Sequence, residues 1–451
     1  MSRFVEADRD TLYLLPPSVQ EWLPEDHLAR FVVEIVDQLN LSELERAYAG
    51  RGIAAFAPSM LVALLFYGYA TGVFSSRKLE RATYDSVAFR FVAANLHPDH
   101  DTIATFRKRF LPQLQGLFVQ ILILARTLKL LKVGNVSLDG SKVKANASKH
   151  KALSYGHAKR IEAQLQVEVE QLLKLAQKAD QADLPDGMDI PAELLRRETR
   201  LAAIRAAKVQ IEAQAQERLM EERRLFDAKM AVRRDKEQKS GKKPGGKPPA
   251  APTAGPKDSD QVNLTDGQSR IMKVAGGFEQ AYNAQTLVDT ETMLVVGSHV
   301  TQSGVDVTQV TAALAVLQAL PDALGQPLRL IADAGYFSAD NVKACEGQGI
   351  EPLIALRRQC HHRPLLERFT EPPPLAEGAS AVERMRHRLS SADGKRWYSR
   401  RKCTVEPVFG IIKSVLGFRH FMLRGAAHAH DEWNLVCIAW NLKRMHKMLA
   451  C

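Results

Sequence analysis

Along residues 1 to about 132, apolar and polar positions alternate at the spacing of amphipathic helices. The pattern predicts helices near 26–39, 58–71, 76–94 and 101–131. Pro58 suits a first helical turn and Gly72 a stop. Asp101-Thr102 offers an N-cap ahead of Ile103, Phe106 and Phe110. Arg77, Lys78, Arg81, Arg107, Lys108 and Arg109 fall between the apolar positions and are expected on exposed faces. Short helices with such faces suit a small DNA-binding domain, of which a helix-turn-helix is one form. An ordinary bundle with a solvated charged face is the alternative.

The texture then changes. Val133-Gly134-Asn135-Val136-Ser137-Leu138-Asp139-Gly140 reads as a strand that ends on an acid. From about 155 to 235 the chain is helical and highly charged, with Leu165, Val169, Leu172 and Leu175 in one stripe. Leu184 to Pro191 interrupts it, and a second helix is predicted over about 192–235, forming an antiparallel hairpin. Lys236 to Asp260 is rich in Lys, Pro, Gly and Ala without periodicity, so a flexible basic linker is expected. Strands follow at 269–274, 280–288 and 293–298, then a helix at about 306–319. Leu328 to Asp333 is an apolar run suited to a buried central strand, again ending on an acid. A short helix, a strand near 353–356 and a mostly helical remainder complete the pattern.

Composition narrows the partners. The chain has 451 residues, enough for several folding units, and a net charge of +11 that favours a polyanion, nucleic acid first. The five cysteines form no C-x-x-C pair, which argues against a disulfide framework and for a reducing compartment. Cys360-His361-His362 lacks the companions of a zinc site. Gly52 to Ser76 carries no charge and is long enough to span a bilayer, yet Pro58, Gly68 and Gly72 fit a buried helix better. A cytoplasmic protein with no membrane partner is expected.

The candidate chemistry lies in three acids. Asp139 and Asp333 each close an apolar strand beside a glycine, and strand ends are where sheets flanked by helices bind ligands. Taken singly, such an aspartate is more often a cap or turn residue. Glu406 is the only acid between Arg396 and Arg424, amid Arg400, Arg401, Lys402 and Lys413. It either pairs with a neighbouring lysine or holds a metal while the bases hold a DNA backbone. Lys413, seven residues on, shares a helical face with Glu406, provided that the helix starts near Glu406 so that Pro407 falls in its first turn.

Leu138-Asp139-Gly140-Ser141, Ala332-Asp333-Ala334-Gly335-Tyr336 and the run Arg400 to Lys413 resemble the three motifs of the DDE transposases of bacterial insertion sequences. Glu406 and Lys413 match the interval of the third motif; Tyr398 and Arg401 are each displaced by one place, and Lys402 stands where that family commonly has an arginine. The resemblance implies an α/β, RNase H-like mixed sheet flanked by helices over 133–149 and 261–451, a helical DNA-binding domain over 1–132, and a helical-hairpin insertion with linker over 150–260. It implies that Asp139, Asp333 and Glu406 hold Mg²⁺ or Mn²⁺, two ions in all. Tyr398, Arg401, Lys402 and Lys413 would contact DNA. The reaction would be cleavage at transposon ends and strand transfer into target DNA, by a homodimer or larger assembly on double-stranded DNA. A non-catalytic or domesticated DNA-binding protein, a nuclease on the same fold and a coiled-coil scaffold are the competing readings.

Overall fold

A computed structural model describes residues 18–48, 55–178, 189–242, 245–356 and 370–450. The two apolar runs that end in aspartate are neighbouring strands, β1 (Asn135–Lys144) and β7 (Arg329–Ala332), paired in parallel. Their residues Val136, Leu138, Leu330, Ile331 and Ala332 are fully buried, as central parallel strands require. β8 (Glu351–Ile354) lies parallel beyond β7. β5 (Gly277–Asp289) lies on the other side of β1, and β6 (Val295–Thr301) pairs antiparallel with β5. The helices Gln309–Gln318, Ala339–Gly347, Ala381–Ser390 and Ala426–Leu449 pack on these strands. The result is an RNase H-like mixed sheet flanked by helices.

One expectation changes here. The first strand does not stop at Asp139 but runs on to Lys144. Only its pairing with β7 stops at Leu138.

The amino-terminal helices are Leu28–Asp37, Ser42–Arg46, Pro58–Thr71, Ser76–Asp85, Val87–Val92, His100–Phe110 and Leu114–Thr127. Pro58 opens its helix, and Gly72 closes it in the left-handed region at φ 84°. Three expectations are corrected. The helix drawn over 76–94 breaks at Ser86, whose backbone is extended. The one drawn over 101–131 starts at His100, capped by Asp99 rather than Asp101-Thr102, and is interrupted by a 3₁₀ turn at Leu111–Gln113. Arg107 is buried, not exposed: it donates to the Tyr69 hydroxyl at 3.2 Å and to the Phe74 carbonyl at 2.9 Å. Tyr69 in turn donates to Glu432 at 2.8 Å. Burial pushes the Glu432 carboxyl upward, with Arg107 opposing it.

The apolar helix Pro58–Thr71 has 14 residues, short of the about 20 that cross a bilayer. His100–Thr127 is long and apolar enough by composition, but the 3₁₀ turn interrupts it.

Two compact units emerge, residues 1–144 with 282–451, and residues 145–281. In the second, helices Tyr155–Lys178 and Ile190–Ser240 form the expected antiparallel hairpin. Tyr155 bonds Glu212, Glu162 pairs with Arg205 and Lys208, and Glu168 pairs with Arg197, in the descending order that antiparallel helices require. Leu165 and Leu172 are buried, whereas Leu175 is exposed. Of the predicted break at 184–191, residues 184–188 lie outside the described residues, as do Cys360, His361 and His362. The predicted linker is also revised. The second helix claims residues through Ser240, and the far end is anchored by Asp260, which accepts two hydrogen bonds from Arg218 at 2.9 and 2.8 Å. The unpredicted strands β2 (Ala152–Ser154) and β3 (Gln261–Asn263) pair beside that anchor. β4 (Arg270–Val274) pairs with the opening residues of β5.

Candidate active site

Leu138 lies opposite Ala332 in the parallel register of β1 and β7, and the next residue on each chain is an aspartate. Register alone therefore carries Asp139 and Asp333 to the same edge of the sheet. Asp139 Oδ1 accepts from the next amide of its strand, that of Gly140, at 2.8 Å, whereas Asp333 Oδ1 caps the 3₁₀ turn Ala334–Tyr336 by accepting from the Gly335 amide at 2.8 Å. Asp333 thus acts as a turn residue as well as a site candidate, while Asp139 stays within its strand.

Glu406 sits in the first turn of the helix Val405–Gly410, with Pro407 behind it where a missing amide costs nothing. That helix packs against β1. Just before it, the 3₁₀ turn Arg400–Cys403 presents Arg401. Its Nη1 lies 3.3 Å from Asp139 Oδ2 and its Nη2 2.8 Å from Glu406 Oε1. One guanidinium thus joins two of the acids, and its own side chain is only 14% exposed.

Burial is the main influence on Asp139, pushing its carboxyl up to about 6. The Gly140 amide and Arg401 pull it down, and the nearby charges of Asp333 and Glu406 push it up again. Asp139 is therefore within electrostatic reach of both other acids. Among the described residues, no group of three or more His, Cys, Asp or Glu side chains stands ready to enclose a metal ion. The donor set itself fits one. Carboxylate oxygens suit hard divalent cations, and Asp139 and Glu406 already converge on a cationic group.

The other predicted residues divide. Tyr398 is packed against the cluster of Ile331, Val342, Leu353 and Met385 and hydrogen-bonds Arg401. Lys402 is exposed. Lys413 reaches β1, donating to Ser141 Oγ and to the Lys142 carbonyl at 2.9 Å. Burial, then the Lys142 charge, lowers its ammonium from the ordinary range. A π-helical turn over Ile411–Val415 carries Lys413, so the simple count of helical turns from Glu406 does not apply. Nearby, the guanidinium groups of Arg329, Arg396 and Arg400 lie 5.3, 5.5 and 5.4 Å from the centre of the Trp397 ring.

Several polar neighbours of the site have no role that the sequence alone suggests. Tyr336, almost wholly buried, donates to Gln285 Oε1 at 2.6 Å, and burial raises its hydroxyl, reinforced by Asp139, Asp306 and Asp333. Asp306 accepts from Lys142 at 3.1 Å, Asn283 at 2.7 Å and Gln285 at 3.0 Å. Gly140 has no room for a side chain: a Cβ there would stand 2.0 Å from Gln285 Nε2.

Comparison with known families gives two matches. The transposase DDE domain model matches residues 222–442, a span that includes Asp333 and Glu406 but not Asp139. The transposase domain model DUF772 matches residues 17–109, the helical amino-terminal region. No curated protein matches the chain. No solved structure matches it either. Two transposase models, matching the amino-terminal helices and most of the remaining sheet and helices in their expected order, place the chain in the DDE transposase family.

Proposed function

We propose that this chain cleaves DNA at transposon ends and joins the freed ends to target DNA, with Asp139, Asp333 and Glu406 as its catalytic carboxylates. The observation that carries the reading is that Asp139, set beside Asp333 by the register of β1 and β7, shares the Arg401 guanidinium with Glu406, which comes from a distant part of the sequence. Asp139, Asp333 and Glu406 would hold Mg²⁺ or Mn²⁺, and a pair of such ions activates the attacking oxygen and stabilises the leaving one when bound. The chain's own residues do the rest. Asp139 gives up its proton and serves as an anionic oxygen ligand at a fixed strand position. Arg401 offsets the mutual repulsion of Asp139 and Glu406, and its fork suits a phosphate equally well. Lys402, exposed beside it, and Lys413, anchored on β1, are the further phosphate contacts, with Arg396 and Arg400 extending the basic surface. Tyr398 supports Arg401 from the core side.

In the first reaction water adds to a backbone phosphorus and the 3′ oxygen leaves as a hydroxyl. In the second that hydroxyl attacks a target phosphodiester, and a target 3′ oxygen leaves. Joining two ends calls for a homodimer or larger assembly on double-stranded DNA.

The amino-terminal helices supply recognition in this reading. Pro58–Thr71 and Ser76–Asp85 meet at 95° across a turn that contains the left-handed Gly72, the geometry of a helix-turn-helix. Leu79 and Thr83 of the second helix face inward, while Arg77, Lys78 and Arg81 are exposed. Residues 1–132 are thus proposed as the DNA-binding region, 133–149 with 261–451 as the catalytic one, and 150–260 as an insertion.

The test is Mg²⁺-dependent nicking and joining of a cognate end by Asp139→Asn, Asp333→Asn and Glu406→Gln. Each is expected to abolish both reactions and to retain end binding. Full activity in any variant removes that residue from the trio. Binding without nicking by the unaltered chain would favour a non-catalytic DNA-binding protein, and nicking without joining a nuclease.

A further inference from the structure

We infer that Asp306, outside every motif so far described, is a positioning residue for this site, acting through Gln285 and Tyr336 on the backbone beside Asp139 and Asp333. The inference rests on the proposed roles of those two aspartates.

The geometry forms one continuous path. Asp306 Oδ1 accepts from Gln285 Nε2 at 3.0 Å and from Asn283 Nδ2 at 2.7 Å. Gln285 is fully buried, so its amide must satisfy both ends within the protein. Donation to Asp306 fixes which way the amide faces and leaves Oε1 to accept from the Tyr336 hydroxyl at 2.6 Å. Tyr336 closes the turn that follows Asp333, and its ring is 1% exposed. The same Gln285 amide lies against Gly140, the residue after Asp139, closely enough that no side chain fits between them. One amide thus touches the backbone beside Asp139 and holds the side chain that follows Asp333.

Asp306 is what fixes that amide. Without its carboxylate, the Gln285 amide is free to reverse, and the Tyr336 hydroxyl would then accept from it instead of donating, so the single arrangement seen here would be lost. The carboxylate also takes the Lys142 ammonium at 3.1 and 3.2 Å, while the Lys142 carbonyl holds Lys413. The path meets the backbone next to Asp139 and the turn after Asp333, not the carboxylates themselves; hydrogen bonds in the shell around a metal's ligands orient those ligands, and their loss typically costs about 10–100-fold in metal affinity or activity.

The experiment compares Asp306→Asn, Asp306→Ala, Gln285→Ala and the double variant Asp306→Ala with Gln285→Ala. Asp139→Asn is the control. Mn²⁺ binding is followed by titration, and nicking over a range of end concentrations gives kcat and KM separately. Expected is Mn²⁺ binding weakened by about 10–100-fold in Asp306→Ala and Gln285→Ala, with kcat reduced, KM for DNA unchanged and the melting transition still cooperative. The double variant should lose no more than the worse single variant, since both changes cut one path. Asp306→Asn, which keeps an acceptor, should fall between the unaltered chain and Asp306→Ala. Unaltered Mn²⁺ affinity in both single variants, or fully additive losses, overturns the role of Asp306. Full nicking by Asp139→Asn overturns the underlying site instead, so the two failures are distinguishable.

Discussion

The Arg401 guanidinium donates to Asp139 at 3.3 Å, joining residues 262 positions apart. Burial raises the Asp139 carboxyl to about 6 even though Arg401 acts to lower it. A cation replaces the Asp139 proton only after that proton has gone. Mn²⁺ affinity is therefore expected to fall as pH drops through about 6. In Arg401→Gln the midpoint should move upward, because a lowering influence has been removed. Titrations across roughly pH 5 to 8 measure both midpoints. A midpoint that stays put in the variant would contradict the coupling.

The same carboxyl predicts a stability effect. Its folded value of about 6 exceeds the ordinary 3.8, so the folded state holds this proton more tightly than the unfolded chain. The contribution is fully present below the ordinary value and is lost as pH rises through about 6. At neutral pH the buried charge is thus a cost, and Asp139→Asn removes it. Without divalent metal, the variant should be more stable than the unaltered chain by on the order of 1–3 kcal/mol. Near the ordinary carboxyl value the difference should vanish. Thermal melting at both pH values checks this, and a lower melting point for the variant at neutral pH would refute it.

Gly140→Ala places a methyl 2.0 Å from Gln285 Nε2. Gln285 is held on both sides, by Asp306 and Tyr336, so it cannot swing aside cheaply. A loss of about 1–3 kcal/mol in stability is expected, together with reduced nicking. Denaturant unfolding measures the first. A variant as stable as the unaltered chain would mean that Gln285 yields freely.

The side chains of Arg77 and Lys78 make no hydrogen bond or ion pair with any described residue, and that of Arg81 has only an exposed partner in Asp85 at 3.7 Å. Replacing each with alanine should weaken end binding and lower the salt dependence of that binding by about one unit for every phosphate no longer engaged. Nicking of an end supplied at saturating concentration should persist. Filter binding over a salt series decides, and an unchanged slope would exclude this helix from the DNA interface.

The strands that carry the aspartates were legible because Val136 to Leu138 and Leu330 to Ala332 are continuous apolar runs, and such runs seek central positions. Pro58 and Gly72 marked a helix to the residue, since their backbone restrictions act locally. Arg107 misled for the opposite reason: beside Lys108 and Arg109 it reads as surface, and its buried partners, the Tyr69 hydroxyl and the Phe74 carbonyl, are more than thirty residues away in sequence. Ser86 breaks a helix in an unbroken amphipathic pattern. Asp306, Asn283 and Gln285 belong to no local pattern, because their meaning arises only when β5 lies beside β1. Arg401 was read as a DNA contact, and nothing in its neighbours foretold that it also links two carboxylates.

β6 joins the sheet only through β5, and its remaining backbone groups would ordinarily invite another chain. The Asn441 amide instead takes both the N–H and the C=O of Val295 at 2.8 Å, and His430 accepts from the Val300 amide at 3.3 Å. Side chains of the last helix thereby imitate a neighbouring strand and seal that border. A second chain would find no strand partner at that border, and misassembly by strand exchange is discouraged at the same place.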